Sequence, residues 1–189
     1  MESKIPLSAY GHEGVEELRR FNKTTFKNYC NKKLLSVKKH IHFIRKNKPQ
    51  KYKGKVLEIG SGSGKLLFSM EKNNLISEGI GCEVSKSRSK FLNKFKKEFG
   101  IKKVKIENQK FLDLKFKKNY FDLVIGIDCV INYIGSNPKH LKKFLNNCEK
   151  ALKKGGYLIL EFMTFEREKK MIKQSLKKKY FTWKKLSKE

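Results

Sequence analysis

The 189-residue chain lacks several patterns that would each identify a class of protein. It contains no run of about 18 apolar residues, and its first residues are charged where a secretion signal is apolar, so we expect neither membrane spanning nor export. Its four cysteines form no CxxC pair, and its four histidines form only one HxH, so no metal site is predicted. These absences predict a cytoplasmic protein with reduced thiols.

Acidic residues are scarce. The chain has 18 Asp and Glu against 46 Lys and Arg, which gives a formal net charge of +28. A field of this size attracts polyanions such as RNA. An A/T-rich genome, which favours lysine codons, would give the same composition without any functional reason. Lysines occur in nearly every segment, so we expect them to scatter over the surface, and RNA stays a secondary candidate partner.

Short apolar runs alternate with helical segments from residue 55 onward. The runs KVLEIG, EGIGCEV, KVKIE, YFDLVIGI and GGYLILEF are typical of strands, and the segments 65–72, 86–99 and 138–153 are typical of helices. The last helix is expected to stop at Gly155-Gly156. This alternation predicts an α/β fold, a three-layer sandwich in which helices cover both faces of a mostly parallel twisted sheet.

The chain is predicted to fall into two segments. Residues 13–47 show apolar positions at helical spacing and end near Asn47-Lys48-Pro49. The segment 1–50 is therefore expected to form a helical lid over a cofactor site. Residues 51–189 are expected to form the main domain. After the fifth strand, only a helix candidate (Glu166 to Leu176) and a strand candidate (Tyr180 to Leu186) remain.

A glycine-rich turn, Gly60-Ser61-Gly62-Ser63-Gly64, joins the first strand to the following helix. Glycines let a ligand approach the backbone closely, and the helix N-terminus offers free amides to an anionic group. A triphosphate-binding loop would need Gly at position 59 and Ser or Thr at position 66, where the chain has Ile59 and Leu66. The dinucleotide pattern GxGxxG also fails, because Lys65 stands at its third glycine.

With Glu58, the turn fits the pattern E/D-x-G-x-G-x-G, and over residues 55 to 162 the chain resembles the class I S-adenosylmethionine-dependent methyltransferases. Further motifs follow in the family's order. They are Glu83 after the second strand, Phe121-Asp122-Leu123-Val124 in the fourth, and Leu152-Lys153-Lys154-Gly155-Gly156-Tyr157-Leu158 before the fifth. The resemblance implies a Rossmann-like fold with S-adenosylmethionine as cofactor.

The resemblance also implies the cofactor-binding residues. They are Glu58, Gly60, Ser61, Gly62, Gly64, Glu83, Val84, Lys110, Phe111 and Asp128. The turn would wrap the methionine part, with Glu58 beneath it. Glu83 would accept hydrogen bonds from both ribose hydroxyls, because a carboxylate offers two acceptor oxygens to a vicinal diol. Lys110 replaces an Asp that often meets the adenine amino group, while Phe111 would either pack on the purine or bind it through its backbone amide.

Asp128, Asn132 and Tyr133 follow the fourth strand, where this family presents the methyl group to the acceptor. They are the predicted catalytic residues and active-site floor, although Asn132 and Tyr133 would equally suit helix capping or packing. Cys129 lies among them, and burial is a better explanation for it than nucleophilic chemistry. The family normally completes its sheet with a sixth and a seventh strand, so the short C-terminus predicts a sheet that lacks its last strand.

The sequence thus predicts methyl transfer from S-adenosylmethionine to an unidentified acceptor, with a small molecule or protein favoured over RNA. The alternative is a non-catalytic or truncated methyltransferase-like module that holds RNA or a partner subunit through its basic surface. Lys110 and the short C-terminus are the features that favour this alternative.

Overall fold

The structure is a computed structural model that describes residues 23–47, 53–113, 116–127 and 137–161. Its elements, in chain order, are α1 (Lys23–Ser36), α2 (Lys38–Lys46), β1 (Gly54–Ile59), α3 (Lys65–Lys72), β2 (Ile76–Cys82), α4 (Lys86–Glu98), β3 (Val104–Glu107), a 3-10 helix (Phe111–Asp113), β4 (Phe121–Gly126), α5 (Pro138–Ala151) and β5 (Leu152–Leu160).

The five strands form one parallel sheet in the order β3-β2-β1-β4-β5. The order reverses between β1 and β4, where Ile59 lies opposite Gly126 at the carboxyl ends of both strands. In open α/β sheets, ligands bind in the crevice outside the carboxyl ends at such a reversal. The predicted parallel α/β fold is confirmed, and the glycine turn leaves β1 at this crevice.

Hydrophobic clusters cover both faces of the sheet. Val56 and Leu123 belong to the cluster shared with α1 to α4, whereas Leu57 and Val124 belong to the cluster shared with α5. Neighbouring residues divide between the clusters because successive side chains of a strand point to opposite faces. The result is the three-layer sandwich that the sequence predicts.

The N-terminal helices belong to the main core. Phe26 and Cys30 of α1 and Ile41 and Ile44 of α2 are buried in the cluster that contains Val56 of β1. The described part of the predicted 1–50 segment, residues 23–47, therefore packs into one continuous core with the rest of the domain. The lid stays a prediction, since residues 1–22 lie outside the described residues.

One predicted boundary is wrong. Residues 138–153 were expected to be helical up to a glycine stop, but α5 ends at Ala151 and β5 begins directly at Leu152. The reason is pairing with β4. The backbone amides of Asn119 and Tyr120 donate to the carbonyls of Lys150 and Ala151, and Leu152 pairs with Phe121. The sheet thus draws the chain out of the helix before the glycines are reached.

The C-terminal helix and strand candidates, 166–176 and 180–186, lie outside the described residues, so the missing last strand stays a prediction. Within the described ranges, no helix is both long enough and apolar enough to cross a bilayer.

Candidate cofactor site

The glycine turn has a backbone shape that requires glycine. Gly60, Gly62 and Gly64 have φ values of 68°, 52° and 71°, in the left-handed region that residues with a side chain rarely adopt. The turn is closed by a hydrogen bond of 2.7 Å from the amide of Gly64 to the carbonyl of Ser61. The amide of Ser61 donates in turn to the carbonyl of Cys82 at 2.9 Å, which ties the turn to the end of β2.

Gly62 and Gly64 face different surroundings. A Cβ at Gly62 would have only Arg88 Nη1 at 3.7 Å and the carbonyl oxygen of Gly60 at 3.8 Å among its described neighbours within 4 Å. A Cβ at Gly64 would lie 2.4 Å from Leu92 and 2.8 Å from Phe68. A Cβ at Gly62 would therefore meet only ordinary van der Waals contacts, so packing does not close this side of the turn to a ligand, whereas Gly64 allows α3 and α4 to pack closely.

Glu83 lies directly after β2 with 4% of its surface exposed, and it joins the two loops of the site. One carboxylate oxygen accepts from the amide of Gly62 and the other from the amide of Ser85, each at 2.8 Å. The side-chain amide of Asn108 donates to the Glu83 carbonyl at 2.7 Å. Each carboxylate oxygen has a second acceptor position, so the held carboxylate can also receive two ribose hydroxyls.

Acidic groups surround the thiol at the end of β2, and two of them, Glu58 and Glu83, are buried. Glu58 is buried in β1, and its carboxylate interacts electrostatically with the Cys82 thiol at the end of β2. Burial raises the pKa of the Cys82 thiol far above its usual range, and the carboxylates of Glu107, Glu58 and Glu83 raise it further. Cys148 is buried in α5, which raises its pKa to about 12. Neither thiol is a nucleophile at neutral pH, because the nucleophile is the thiolate.

Three of the predicted cofactor-binding residues, Val84, Lys110 and Phe111, differ in how exposed they are. Val84 is 38% exposed next to Glu83, where it offers an apolar surface to a flat ring. Lys110 is exposed after β3. The Phe111 ring is only 5% exposed and lies between Phe116 and Phe144, so it fills the core and is not available to stack on a purine. The Phe111 backbone amide stays a predicted cofactor contact.

Ser85 and Arg88 are residues of this site that the sequence interpretation did not assign to the cofactor. The Ser85 hydroxyl caps the N-terminus of α4 by accepting from the amide of Arg88 at 3.3 Å. A serine just before a helix is a recognisable capping signal. The approach of Arg88 to Gly62 has no such signal, because it depends on how α4 packs against the turn.

The predicted catalytic residues Asp128, Asn132 and Tyr133, with Cys129, lie outside the described residues. Their roles stay predictions. The described chain reaches Ile127, directly after β4, and resumes at Asn137, immediately before α5. Across the described ranges, no three His, Cys, Asp or Glu side chains gather as a metal site.

A parallel sheet with a glycine turn at its reversal point and a buried acid after the next strand defines a cofactor-binding α/β domain. The chain belongs to the methyltransferase-domain family whose model, Methyltransf_31, matches residues 50–188. This confirms the resemblance found in the sequence. No curated protein matches the chain.

Solved structures share the fold. PH0226 of Pyrococcus horikoshii is 21% identical with a TM-score of 0.61, over 74% of this chain and 62% of that one. The mmp1179 protein of Methanococcus maripaludis, assigned as an S-adenosylmethionine-dependent methyltransferase, is 19% identical with a TM-score of 0.59, over 85% and 74%. The phosphoethanolamine N-methyltransferase 2 of Haemonchus contortus, solved with phosphomonomethylethanolamine and S-adenosylhomocysteine, is 21% identical with a TM-score of 0.55, over 78% and 34%.

These alignments cover only part of each relative, from 34% of the Haemonchus protein to 74% of the Methanococcus protein. Family membership makes S-adenosylmethionine the cofactor that the site has to accommodate. The described residues fit it: Gly62 leaves its open side to a ligand, the Glu83 carboxylate is fixed at the turn, and Val84 supplies an apolar surface.

Proposed function

We propose that this protein transfers a methyl group from S-adenosylmethionine to a small-molecule acceptor. The observation that carries the proposal is the hydrogen bond between the Glu83 carboxylate and the amide of Gly62, which fixes an acidic acceptor against an open glycine turn. In this arrangement, the turn receives the methionine part and Glu83 the ribose. Asp128, Asn132 and Tyr133 are proposed to form the adjoining active-site floor.

The cofactor supplies the chemistry, since its sulfonium carries an activated methyl group and a good leaving group. The protein's residues have to hold and orient the reactants and exclude water. Glu83 and the turn suit the holding role, because their positions are fixed by hydrogen bonds within the protein before any ligand binds. We expect the transfer to need no metal, because the sulfonium already activates the methyl group.

The distribution of lysines supports an acceptor other than RNA. Exposed lysines occur on both helical layers and at both ends of the sheet, whereas an RNA-binding surface concentrates them on one face. Those in the described residues include Lys27, Lys32, Lys53, Lys86, Lys90, Lys97, Lys110, Lys117, Lys118, Lys142 and Lys143. Among the described residues, the exposed lysines thus show no preferred side on which to hold a polyanion.

A cavity supports a small molecule over a protein as the acceptor. It has a volume of about 260 Å³ and lies between α2 and the strands β4 and β5, with Phe43, Ile44, Ile125 and Ile159 among its lining residues. Ile125 and Ile159 pair with each other one position before the end of their strands. The cavity is therefore close to the carboxyl ends of β4 and β5, and small-molecule sites are concave and mostly apolar.

The rival is a non-catalytic module that binds a partner through its basic surface. Lys110 supports it, because its exposed ammonium stands where an adenine-binding carboxylate is common in the family. Both functions predict cofactor binding, so binding alone does not separate them. Only an assay of methyl transfer distinguishes the enzyme from the non-catalytic module.

The test is to incubate the purified protein and S-adenosylmethionine labelled in its methyl group with separate small-molecule, protein and RNA fractions of a cell extract. We expect label in the small-molecule fraction. The Gly62→Val protein is the matched control, since it keeps every charge of the surface and is expected to lose the cofactor.

Label confined to RNA, or to protein, would overturn the choice of acceptor while leaving methyl transfer intact. Equal labelling by the Gly62→Val protein would contradict the assignment of the site. No label in any fraction, from a protein that binds S-adenosylhomocysteine, would favour the non-catalytic module.

A further inference from the structure

We propose that the methyl acceptor is an apolar small molecule with a hydroxyl group, and that His40 and Glu161 bind this hydroxyl beside the cavity under α2. The inference rests on the proposed function, because it names the class of acceptor for that transfer. His40 is one of the lining residues of the cavity. Its Nε2 atom lies 3.5 Å from Oε2 of Glu161, so the cavity is bordered by a histidine–carboxylate pair.

The end of β5 places Glu161 on the same side of the sheet as the cavity. Ile159 lines the cavity, and Glu161 follows it by two residues. The amide of Glu161 donates to the carbonyl of Gly126 at 2.9 Å, so the pairing of β5 with β4 extends to this residue. Alternate residues of a strand point to the same face, so Glu161 shares the face of Ile159. The pair with His40 of α2 therefore lies at the carboxyl end of the cavity.

His40 is incompletely satisfied by the protein. Its Nε2 lies 3.5 Å from the Glu161 oxygen, whereas an N–H···O hydrogen bond is usually about 2.9 Å long. Its Nδ1 is shielded from solvent and has no hydrogen-bond partner within the described ranges. A carboxylate offers about four acceptor positions, so Glu161 can accept from a ligand in addition to its contacts within the protein. A buried polar group without a partner is unusual, and a ligand beside the imidazole would explain it.

The chemistry of the pair identifies a hydroxyl group. The imidazole nitrogen that faces the carboxylate carries a proton, because an ionised carboxylate only accepts. A group that bridges the two side chains therefore has to accept from His40 and donate to Glu161. A hydroxyl does both, whereas an ether or a ketone can only accept. The positive charge of Lys39, which also lines the cavity, disfavours a protonated amine.

The rest of the lining determines the remainder of the molecule. Apart from His40 and Lys39, the lining side chains are apolar, and they are Phe43, Ile44, Ile125 and Ile159. The cavity of about 260 Å³ lies just below the range of about 300 to 1,000 Å³ for drug-sized ligands, so the molecule is small, with roughly one or two rings. A phenol is the simplest compound that combines these properties.

The experiment compares probes that differ only in the hydroxyl. The probes are 4-ethylphenol and 2-naphthol, each paired with its own methyl ether, and NMR of the isoleucine methyl groups follows their titration into the full-length protein. We expect the methyl signals of Ile125 and Ile159 to shift. Each phenol should bind about threefold to tenfold more tightly than its ether, which is the effect of one hydrogen bond.

Two substitutions of the same kind separate His40 from the rest of α2. His40→Phe keeps a ring but removes both nitrogens, so each phenol and its ether should bind equally. His42→Phe is the matched control at an exposed position of the same helix, and it should keep the preference for the phenol. Ile159→Phe enlarges a lining side chain and should weaken the binding of phenols and ethers alike.

Glu161→Leu removes the acceptor of the pair and should also abolish the preference, which keeps the proposal testable if His40→Phe does not fold. Equal binding of phenols and ethers by the wild-type protein, or a preference that persists in His40→Phe, would overturn the proposal. Methyl transfer in the labelled-cofactor assay by a protein without this preference would leave the proposed function standing and refute the hydroxyl site. A His40-dependent preference without any methyl transfer would support the site and contradict the proposed function.

Discussion

Gly62 and Gly64 are both glycine, but for different structural reasons. Both have left-handed backbone angles, with φ of 52° and 71°, so a side chain is strained at either position. Only Gly64 has no space for a Cβ, since Leu92 and Phe68 lie within 3 Å of it. We therefore expect Gly62 to matter for ligand binding and Gly64 to matter for helix packing.

We predict that Gly64→Val loses cooperative thermal unfolding, because its side chain would overlap the Leu92 and Phe68 side chains between α3 and α4. Gly62→Val should remain folded but bind no S-adenosylhomocysteine, since its side chain would occupy the ligand's space. Thermal unfolding and calorimetry on both variants provide the test. A folded Gly62→Val protein with wild-type affinity would contradict the cofactor role of the turn.

The positions of residues were predictable from sequence where one motif fixes both the residue type and its place on a strand. Glu83 is such a case, because an acid directly after the second strand of this pattern reaches the turn that follows the first. The Phe111 ring was not predictable, since an aromatic residue after a strand fits a ligand contact and a core position equally well, and its burial depends on Phe116 and Phe144. The position of Arg88 beside Gly62 was not predictable either, because it depends on how α4 packs against the turn.

At the scale of elements, α5 begins with a complete capping arrangement. The side-chain oxygen of Asn137 accepts from the amides of Lys139 and His140, at 2.9 Å and 3.3 Å, and Pro138 occupies the start of the helix. Proline suits this position because its missing N–H has no partner in the first turn anyway. The cap thus fixes the residue at which the chain enters α5.

We predict that Asn137→Ala lowers the free energy of unfolding by about 1 kcal/mol, the usual cost of removing an N-cap acceptor. Asn137→Ser keeps an acceptor oxygen and should lose much less. Urea unfolding of the two variants provides the measurement, with the cofactor affinity as a second readout. A similar loss in both variants would mean that the cap does not stabilise α5.

The ends of elements were predictable where local chemistry sets them. The segment 65–72 is a helix with these bounds, because the glycine turn precedes it and Asn73 ends it. The end of α5 was not predictable in this way. The glycines at 155 and 156 suggested a helix end that is too late, because pairing of Leu152 with Phe121 of β4 starts β5 directly after Ala151. Long-range pairing of this kind leaves no local signal.

For the whole molecule, the fold was predictable because strands and helices alternate with clear periodicity and one motif places the turn at the reversal of strand order. It was not predictable that one core continues from the N-terminal helices, before residue 50, into the sheet. Phe26, Cys30, Ile41 and Ile44 show helical spacing in the sequence, but spacing does not reveal which face they cover. Only the packed structure joins these helices to the sheet.

The net charge of +28 is a property of the whole molecule, and it predicts how the protein interacts with RNA. Because exposed lysines surround the described domain, we expect RNA to bind weakly, without sequence preference, and with a loss of tenfold or more between about 50 and 200 mM salt. Removing charge from either helical layer should weaken binding equally. The matched variants are Lys86→Glu with Lys90→Glu beside the cofactor site, and Lys142→Glu with Lys143→Glu on α5. Fluorescence anisotropy with two RNAs of unrelated sequence measures all of these effects, and a loss confined to the first pair would instead reveal an RNA surface at the cofactor site.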